Sequence, residues 1–382
     1  MSQARGPAAA HGLLADPPRR RGRGARIAAR TAGLVLIAAT ALPLIPTDDW
    51  WVRVLEFPRP ALAALLALAA LGAWAALDRR RASTLILLAA VSAAFAFQMH
   101  AMWPYMPLHA TQAPPSGDCA PEDGLSLVVA NLREGNYGAA RFLEEVRRAR
   151  PDLVFVVEVD RHWVEALRPL HEHYPNRVLH PRDDFWGLAL YARVDLVDPE
   201  IRHLLTGYVP SLRTGLRLGS GAVVEFHGLH PKPPTPRQGT GLRDAELLLA
   251  AAAARAGDRP AVVAGDLNAA AWSMITGLMQ RIGGLLDPRV GRGFFLTFPT
   301  WLPVPLRFPI DHVLFTPGFR LRAIELLPDI GSDHLPLLAL LCHAPRDAEA
   351  PDVAPATEAE RRRAREAIEN GREDAARGGG VP

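Results

Sequence analysis

The chain has 382 residues, of which 49% are hydrophobic and 22% are charged, and this composition excludes a disordered or collagen-like protein. The net charge of +3 argues against a polycation that coats nucleic acid. Two cysteines exclude a disulfide scaffold and a cysteine zinc site, although they allow one bridge.

Three apolar segments follow a basic N-terminus, at residues 27–46, 58–77 and 83–99. The first two have the roughly 20 residues that a helix needs to cross a bilayer, and the third is slightly shorter. Their only charged residues are Arg30, near the start of the first segment, and Arg59, at the start of the second. The pattern predicts three transmembrane helices and disfavours the alternative of three buried helices in a soluble domain.

Positive charge predicts the orientation of these spans. Arginines cluster before the first span, and Arg79, Arg80 and Arg81 lie between the second and the third. The positive-inside rule puts both clusters in the cytoplasm, so everything after residue 100 lies outside. The first span also fits a cleaved signal peptide, which leaves this location unchanged. In that compartment a bridge between Cys119 and Cys342 is permitted.

Composition divides the chain into five regions. These are a basic cytoplasmic N-terminus at 1–26, a membrane domain at 27–100, a proline-rich linker at 101–122, a soluble α/β domain at 123–344 and a charged tail, disordered or partly helical, at 345–382.

Short apolar runs in the fourth region predict buried strands, and longer periodic runs predict helices. The predicted strands are 125–131, 153–157, 188–191, 222–227, 261–264, 310–315 and 335–341, and the predicted helices are 139–150 and 244–256.

Polar residues follow or flank these strands. They are Asn131, Glu158, His230, Asp266, Asn268, Asp311, Asp333 and His334. Carboxylates, amides and imidazoles at strand ends can converge on one pocket. Each residue alone fits a solvated strand cap, but the set together indicates a functional site.

The motifs are Gly265-Asp266-Leu267-Asn268, Ile310-Asp311-His312-Val313 and Ser332-Asp333-His334-Leu335-Pro336, together with Asn131, Glu158 and His230-Pro231. In this order, residues 125–342 resemble the endonuclease/exonuclease/phosphatase superfamily. With the preceding spans, the chain is similar to its membrane-anchored bacterial branch. The resemblance implies an α/β fold, a four-layer α/β sandwich of two mainly antiparallel sheets flanked by helices. Three transmembrane helices precede it.

The resemblance also implies roles for the site residues. Asn131, Glu158 and Asp333 are candidate ligands of Mg²⁺, with Mn²⁺ as the alternative ion, because these ions prefer oxygen donors. No organic cofactor is expected.

His334 is the candidate general base, since an imidazole titrates near neutral pH, and Asp311 is expected to orient it. His230 is expected to contact the phosphate and to assist protonation of the leaving group. Asp266 and Asn268 are expected to position the nucleophile and the phosphate. His312 departs from the family pattern. Asp183 and Asp184 are weak candidates to orient His230.

These expectations describe a membrane-anchored, extracytoplasmic, Mg²⁺-dependent hydrolase of phosphodiesters or phosphomonoesters. Its substrate is a nucleic acid or a phospholipid head group, so endonuclease, exonuclease, phosphatase and lipid phosphodiesterase activities stay open. The bilayer is a partner through the three spans, and no obligate protein partner is expected. The alternative is an inactive membrane-tethered scaffold on the same fold. The aromatic and proline-rich segment 293–309 fits a lipid-facing recognition loop or an ordinary packed connection.

Overall fold

The computed structural model describes residues 19–236, 239–344 and 353–378. These residues form nine α-helices: α1 (Arg19–Ala41), α2 (Trp50–Arg53), α3 (Arg59–Ala76), α4 (Ala82–Met102), α5 (Ala139–Ala149), α6 (Arg161–Ala166), α7 (Gly241–Ala256), α8 (Met274–Gly283) and α9 (Glu358–Ala376).

The same residues form eleven strands. They are β1 (Gly124–Asn131), β2 (Leu153–Val157), β3 (Asn176–His180), β4 (Leu188–Ala192), β5 (Asp195–Arg202), β6 (Ser211–Arg217), β7 (Val223–Leu229), β8 (Ala261–Asp266), β9 (Asp311–Phe315), β10 (Phe319–Leu326) and β11 (Leu337–His343).

Among the described residues, one compact unit consists of residues 19–41 and Leu62–Phe97. Its small apolar core contains Leu66, Ala73 and Val91. In the described part of the chain, three helical segments are long and apolar enough to cross a membrane: Gly22–Leu44, Arg59–Ala76 and Ala82–Tyr105. The three predicted spans therefore have matching helices, whereas most of the predicted N-terminal region 1–26 lies outside the described residues.

The other unit, Leu42–Ala61 with Gln98–Pro382, contains two sheets. The first sheet has the order β10-β11-β1-β2-β4-β3 and the second has the order β5-β6-β7-β8-β9. Each sheet is antiparallel except for one parallel pair, β1 with β2 in the first and β7 with β8 in the second. The expected sandwich of two mainly antiparallel sheets is confirmed.

Strand alternation explains the layers, because successive side chains point to opposite faces. Residues such as Val129, Phe155, Phe226 and Val262 share one core between the two sheets. The outer face of the first sheet packs against α5 and α6. The outer face of the second packs against α7, α8 and α9. This gives the four layers that the resemblance implies.

Two segments pack more closely than their composition suggests. In the proline-rich segment 101–122, Ala113 lies in the core between the sheets, and Gln112 accepts a hydrogen bond from the backbone N–H of Asp287 (2.9 Å). In the charged tail, α9 begins with a capping box at Thr357 and Glu360, and Ala364 is buried in the core beneath it. The rest of the predicted tail, 345–352 and 379–382, lies outside the described residues.

A disulfide bond joins Cys119 to Cys342, a pairing that the sequence left open. It ties the segment before β1 to the last strand of the first sheet.

Candidate active site

The parallel strand pairs bring the predicted site residues to one edge of the sandwich. Asn131 ends β1 in register with Val157, so Glu158 follows directly beside it. Asp266 ends β8 in register with Asp311, the first residue of β9.

These side chains continue the face that points into the core. Asn131 follows the inward-facing Val129 at a spacing of two, and Asp266 and Asp311 stand in the same relation to Ala264 and Val313. The site therefore lies where the apolar core between the sheets ends. Asn131, Asp266 and Asp311 are at most 2% exposed, which places their polar groups in a poorly solvated environment.

Gly265 allows the second sheet to bring its two site strands together. Its φ is +144°, and a Cβ at this position would lie 1.9 Å from the carbonyl oxygen of Leu229. Only glycine fits such a backbone with so close a neighbour. The glycine of the predicted motif thus sets Asp266 next to the end of β7, where His230 follows.

Two other site residues have left-handed backbones, Glu158 with φ +58° and Asn268 with φ +49°. Residues other than glycine adopt this region at some cost, and such strain is concentrated at functional sites.

The amide of Asn131 links the two sheets across the site. Its Nδ2 donates to Oε1 of Glu158 (2.8 Å) and to Oδ2 of Asp266 (3.1 Å). Oε2 of Glu158 accepts from the backbone N–H of Glu134 (3.1 Å). Burial raises the pKa of the Glu158 carboxyl, although these two hydrogen bonds act in the opposite direction.

The His334 imidazole lies between two carboxylates of the second sheet. Nδ1 contacts Oδ2 of Asp311 at 2.8 Å, and Nε2 lies 3.6 Å from Oδ2 of Asp266. Burial alone would lower the pKa of His334, but the charges of Asp311 and Asp266 outweigh it and raise the pKa to about 10. Burial raises the pKa of Asp266, and the nearby Asp311 adds to that shift.

His230 has a different environment. Its Nε2 lies 3.8 Å from Oδ2 of Asp266, and its ring packs against Trp186. Burial lowers the pKa of His230, so this imidazole is neutral at neutral pH. Among the described residues its Nδ1 has no hydrogen-bond partner, and the candidate Asp184 pairs with Arg182.

The remaining predicted residues border this cluster. Asn268 donates from Nδ2 to the carbonyl of Pro231 (2.9 Å), and its backbone N–H donates to Oδ1 of Asp266 (2.9 Å). Asp333 is partly exposed, and its Oδ2 lies 3.9 Å from Nε of Arg133. All eight predicted residues thus belong to one continuous site, with Asp333 at its rim.

The residues present fit a divalent cation by the chemistry of their donors. Among the described residues, ligand atoms of Asp266, Asp311 and His334 all lie within 4.8 Å of one another. Oδ1 of Asp311 is buried without a hydrogen-bond partner, and the nearby Glu158 carboxyl is also disfavoured as an anion by burial. Mg²⁺ and Mn²⁺ bind such clusters of carboxylate oxygens, because the cation neutralises their negative charge.

This geometric group differs from the predicted ligand set of Asn131, Glu158 and Asp333. The two sets are in direct contact, because the amide of Asn131 donates a hydrogen bond to Asp266.

Sequence reasoning gave no role to Ser332, although it lies inside a recognised motif. Its Oγ donates to the carbonyl of Asn131 (2.7 Å) and accepts from the backbone N–H of His334 (3.1 Å). It therefore fixes His334 against the end of β1. The signal was its position two residues before the candidate base.

A buried ionic network below the site was also missed. Arg289 binds both carboxylate oxygens of Asp287 (2.9 and 2.8 Å) and donates to the carbonyl of Asp311 (3.2 Å). Arg289 also lies 2.6 Å from Nδ1 of His312, whose Nε2 lies 2.8 Å from the carbonyl of Ala269. Burial lowers the pKa of His312 well below its ordinary value, so it is neutral, accepts at Nδ1 and donates at Nε2. No sequence motif marks Arg289, whereas the unusual His312 was a signal.

Comparison with known proteins supports the reading of these motifs. The sequence profile of the Endonuclease/Exonuclease/phosphatase family matches residues 128–334, more than half of the chain. The matched segment contains all eight site residues. A search of curated proteins found no match.

Solved structures with similar folds include a humanized D. rerio TDP2 with 14 mutations. That protein is 19% identical, with a TM-score of 0.49, and the match covers 57% of this chain and 99% of the other. The human Nocturnin catalytic domain with bound sulfate anion is 18% identical, with a TM-score of 0.48 and coverage of 60% and 100%. An endonuclease/exonuclease/phosphatase from Bacteroides vulgatus is 19% identical, with a TM-score of 0.48 and coverage of 58% and 99%.

Proposed function

The chain belongs to the endonuclease/exonuclease/phosphatase family, whose members hydrolyse phosphoester bonds, and on this premise we propose that it is a membrane-anchored, Mg²⁺-dependent phosphoesterase. Its substrate is a phosphodiester or phosphomonoester of a nucleic acid or of a phospholipid head group. Its catalytic domain lies outside the cytoplasm.

The observation that carries this proposal is the contact of the His334 imidazole with two aspartate carboxylates, one near each ring nitrogen. Asp311 is hydrogen-bonded to Nδ1, and Asp266 lies beyond Nε2. This is the arrangement of an oriented imidazole that takes a proton on one nitrogen while a carboxylate holds the other. Glu158 and Asn131 join the same cluster from the opposite sheet, because the Asn131 amide donates to both Glu158 and Asp266.

Each of the following site residues then has a role in hydrolysis. Asp311 keeps the Nδ1 proton of His334 in place, so that Nε2 accepts a proton from the attacking water. Asp266 and Asn268 orient the water and the phosphate. The neutral His230 donates a hydrogen bond to the phosphate or to the leaving oxygen. The leaving oxygen takes its proton from solvent, assisted by the hydrogen bond from His230, and His334 releases to solvent the proton that it took from water, so the products are an alcohol and a phosphate with one fewer ester bond.

Glu158, Asn131 and Asp333 would hold the divalent cation, with Asp266 close enough to share it. When bound, the cation polarises the phosphoryl oxygen, offsets negative charge on the leaving oxygen and favours the unprotonated form of His334.

The extracytoplasmic location is supported by two independent features. The arginines before the first span and between the second and third spans predict that orientation. The Cys119–Cys342 disulfide is typical of an oxidising compartment outside the cytoplasm.

The test uses the full chain, purified in detergent, with bis(p-nitrophenyl) phosphate as a soluble substrate in the presence of Mg²⁺ or EDTA. We expect turnover with Mg²⁺ only, and a loss of about 10²-fold or more in His334→Gln. His227→Gln is the matched control, because His227 is also buried in the domain but contacts Glu225 rather than the site.

Folded protein that binds no Mg²⁺ and hydrolyses none of a diester, a monoester, plasmid DNA and phospholipid would instead support the inactive scaffold. Equal losses in both histidine variants would remove His334 from the proposed mechanism.

A further inference from the structure

The aromatic segment before β9 forms a fixed hairpin. Its two sides meet at Phe298 and Phe308, where the N–H of Phe298 donates to the carbonyl of Phe308 (3.0 Å). The Arg307 guanidinium donates to the carbonyls of Leu302 (2.8 Å) and Thr300 (2.7 Å). The arginine is thus used inside the hairpin and stiffens its turn.

The tip of this hairpin, residues 301–306, presents apolar side chains to solvent. Trp301 is 73% exposed, Val304 60% and Leu306 41%. Two prolines separate these residues, and the tip contains no charged residue. A contiguous exposed apolar surface of this kind marks an interaction site.

The base of the hairpin forms part of the active-site rim. The Phe298 ring packs against the His334 ring at a centroid distance of 4.6 Å. Thr300 donates from its backbone N–H to the carbonyl of Asp333 (2.9 Å) and from Oγ1 to the carbonyl of Ser332 (2.8 Å). Whatever the tip binds is therefore held next to the candidate general base.

The same base lies beside the points where the chain enters two candidate spans. Phe57, two residues before α3, packs edge-on against Phe308 at 5.7 Å. Trp272 binds the residue before Phe57, since its Nε1 donates a hydrogen bond to the carbonyl of Glu56 (2.9 Å). Tyr105, the last residue of the third candidate span, packs against the same Trp272. Residues that directly precede one candidate span, and the residue that ends another, thus pack against the base of the hairpin or against Trp272.

Charge at the rim favours a lipid surface over a nucleic acid. A polyanion needs cations that are available to its phosphates. Two arginines near this rim are already bound within the protein, Arg307 to carbonyls of the hairpin and Arg182 to Asp184.

We propose that the tip, residues 301–306, inserts into the adjoining leaflet of the membrane that the chain's own spans cross, and that the site takes the phosphoester of a lipid head group from that leaflet. Tryptophan and aliphatic side chains stabilise such an interfacial position, the indole at the head-group level and the aliphatic groups deeper. The lipid substrate rests on the proposed phosphoesterase function, whereas insertion of the tip does not.

Insertion is tested without catalysis. The full chain carries a single added cysteine, Val304→Cys, labelled with the fluorophore NBD while the native disulfide is left oxidised. It is reconstituted into vesicles of phosphatidylethanolamine and phosphatidylglycerol with or without brominated acyl chains. The matched control is Ser220→Cys, an exposed residue in the turn between β6 and β7, at the end of β7 opposite to His230. We expect brominated lipid to quench the label at 304 strongly and the label at 220 little, and equal quenching overturns insertion.

The substrate is tested on the same vesicles. We expect phosphate-containing head groups to be released, and in Trp301→Ser/Val304→Ser/Leu306→Ser the ratio of lipid turnover to bis(p-nitrophenyl) phosphate turnover to fall about tenfold or more. An unchanged ratio, or hydrolysis of plasmid DNA without hydrolysis of lipid, overturns the lipid substrate. Absence of turnover on every phosphoester defeats the proposed function, and with it the lipid substrate, while the quenching result still decides insertion.

Discussion

The two sheets contribute their halves of the candidate site through the same strand pairing, but the two halves differ in their exposure to solvent. Each provides one parallel strand pair whose ends carry polar side chains. The first sheet contributes Glu158 and Asp333, which are partly open to solvent. The second contributes Asp266 and Asp311, which are buried, and the carbonyl of Asp311 accepts a hydrogen bond from Arg289. We infer that an open half suits an exchangeable cation and a rigid half suits proton transfer, and the following predictions test this division.

The largest expected effect comes from the first sheet. Glu158→Gln should lower Mg²⁺-dependent turnover by about 10³-fold or more, because a lost cation removes several kcal/mol of transition-state stabilisation. Turnover against Mg²⁺ concentration and calorimetric Mg²⁺ titration are the measurements. Glu165→Gln, a change on the exposed side of α6, is the control. Unchanged Mg²⁺ affinity in Glu158→Gln would contradict the assignment of the cation to this half.

In the second sheet, Asp311→Asn should lower turnover by about 10²-fold while the Mg²⁺ affinity stays near that of the wild type. The amide still occupies the space but no longer holds His334 with a charge. The same two measurements apply. Because Asp311 also has an unpaired buried oxygen, a loss of Mg²⁺ affinity as large as the loss of turnover would make it a ligand and abolish the division between the halves.

The rigidity of the second half is tested at Arg289. Arg289→Met leaves the Asp287 carboxylate buried and unpaired, and breaking such a pair should lower the melting temperature by roughly 6–12 °C. Thermal unfolding of the full chain in detergent, followed by tryptophan fluorescence, is the measurement.

The matched control for Arg289 is Arg281→Met, which removes a partly exposed pair with Glu360 and should have a much smaller effect. The double variant Asp287→Asn/Arg289→Met should regain part of the loss. Equal shifts in Arg289→Met and Arg281→Met would show that the network adds no rigidity.

The smallest effect concerns Glu246 on α7, behind His230. Burial raises the pKa of Glu246 to about 8, and the nearby Lys232 opposes the shift only in part. A raised carboxyl pKa makes the folded state hold a proton that the unfolded state has lost. The resulting stability is present below about pH 4.5 and disappears as the pH rises through about 8.

The melting temperature of the wild type should therefore fall between about pH 5 and pH 8 more steeply than that of Glu246→Gln. Glu325→Gln, on an exposed part of β10, should keep the wild-type slope. If all three proteins have the same pH dependence, Glu246 is ionised in the folded protein.

The central strands could be predicted from sequence because of their burial. β2 runs from Leu153 to Val157 as predicted, since a strand covered on both faces is a continuous apolar run. β5 was missed because it lies at the edge of the second sheet and contains exposed charged residues. Its partner β6 was also missed.

The site shows the same limit. Side chains that act from strand ends, such as Glu158 and Asp311, stand in recognisable motifs, so their proximity was predictable. Arg289 pairs with Asp287, two residues before it, but it acts on the site through the distant carbonyl of Asp311 and the ring of His312, which no local pattern encodes. The apolar segment around Trp301 was visible as composition, but the position of its base at Phe298 beside His334 depends on the folded hairpin.

The Cys119–Cys342 bond closes a covalent ring, because its two ends are 223 residues apart in sequence and enclose every residue of the site. Cleavage of the backbone at one place within this ring would leave both pieces linked to each other and, through the chain before Cys119, to the spans. Such a nicked protein would keep both pieces together with the candidate spans until a reductant opened the bridge. On a denaturing gel, it would run as one band without reductant and as two bands with it.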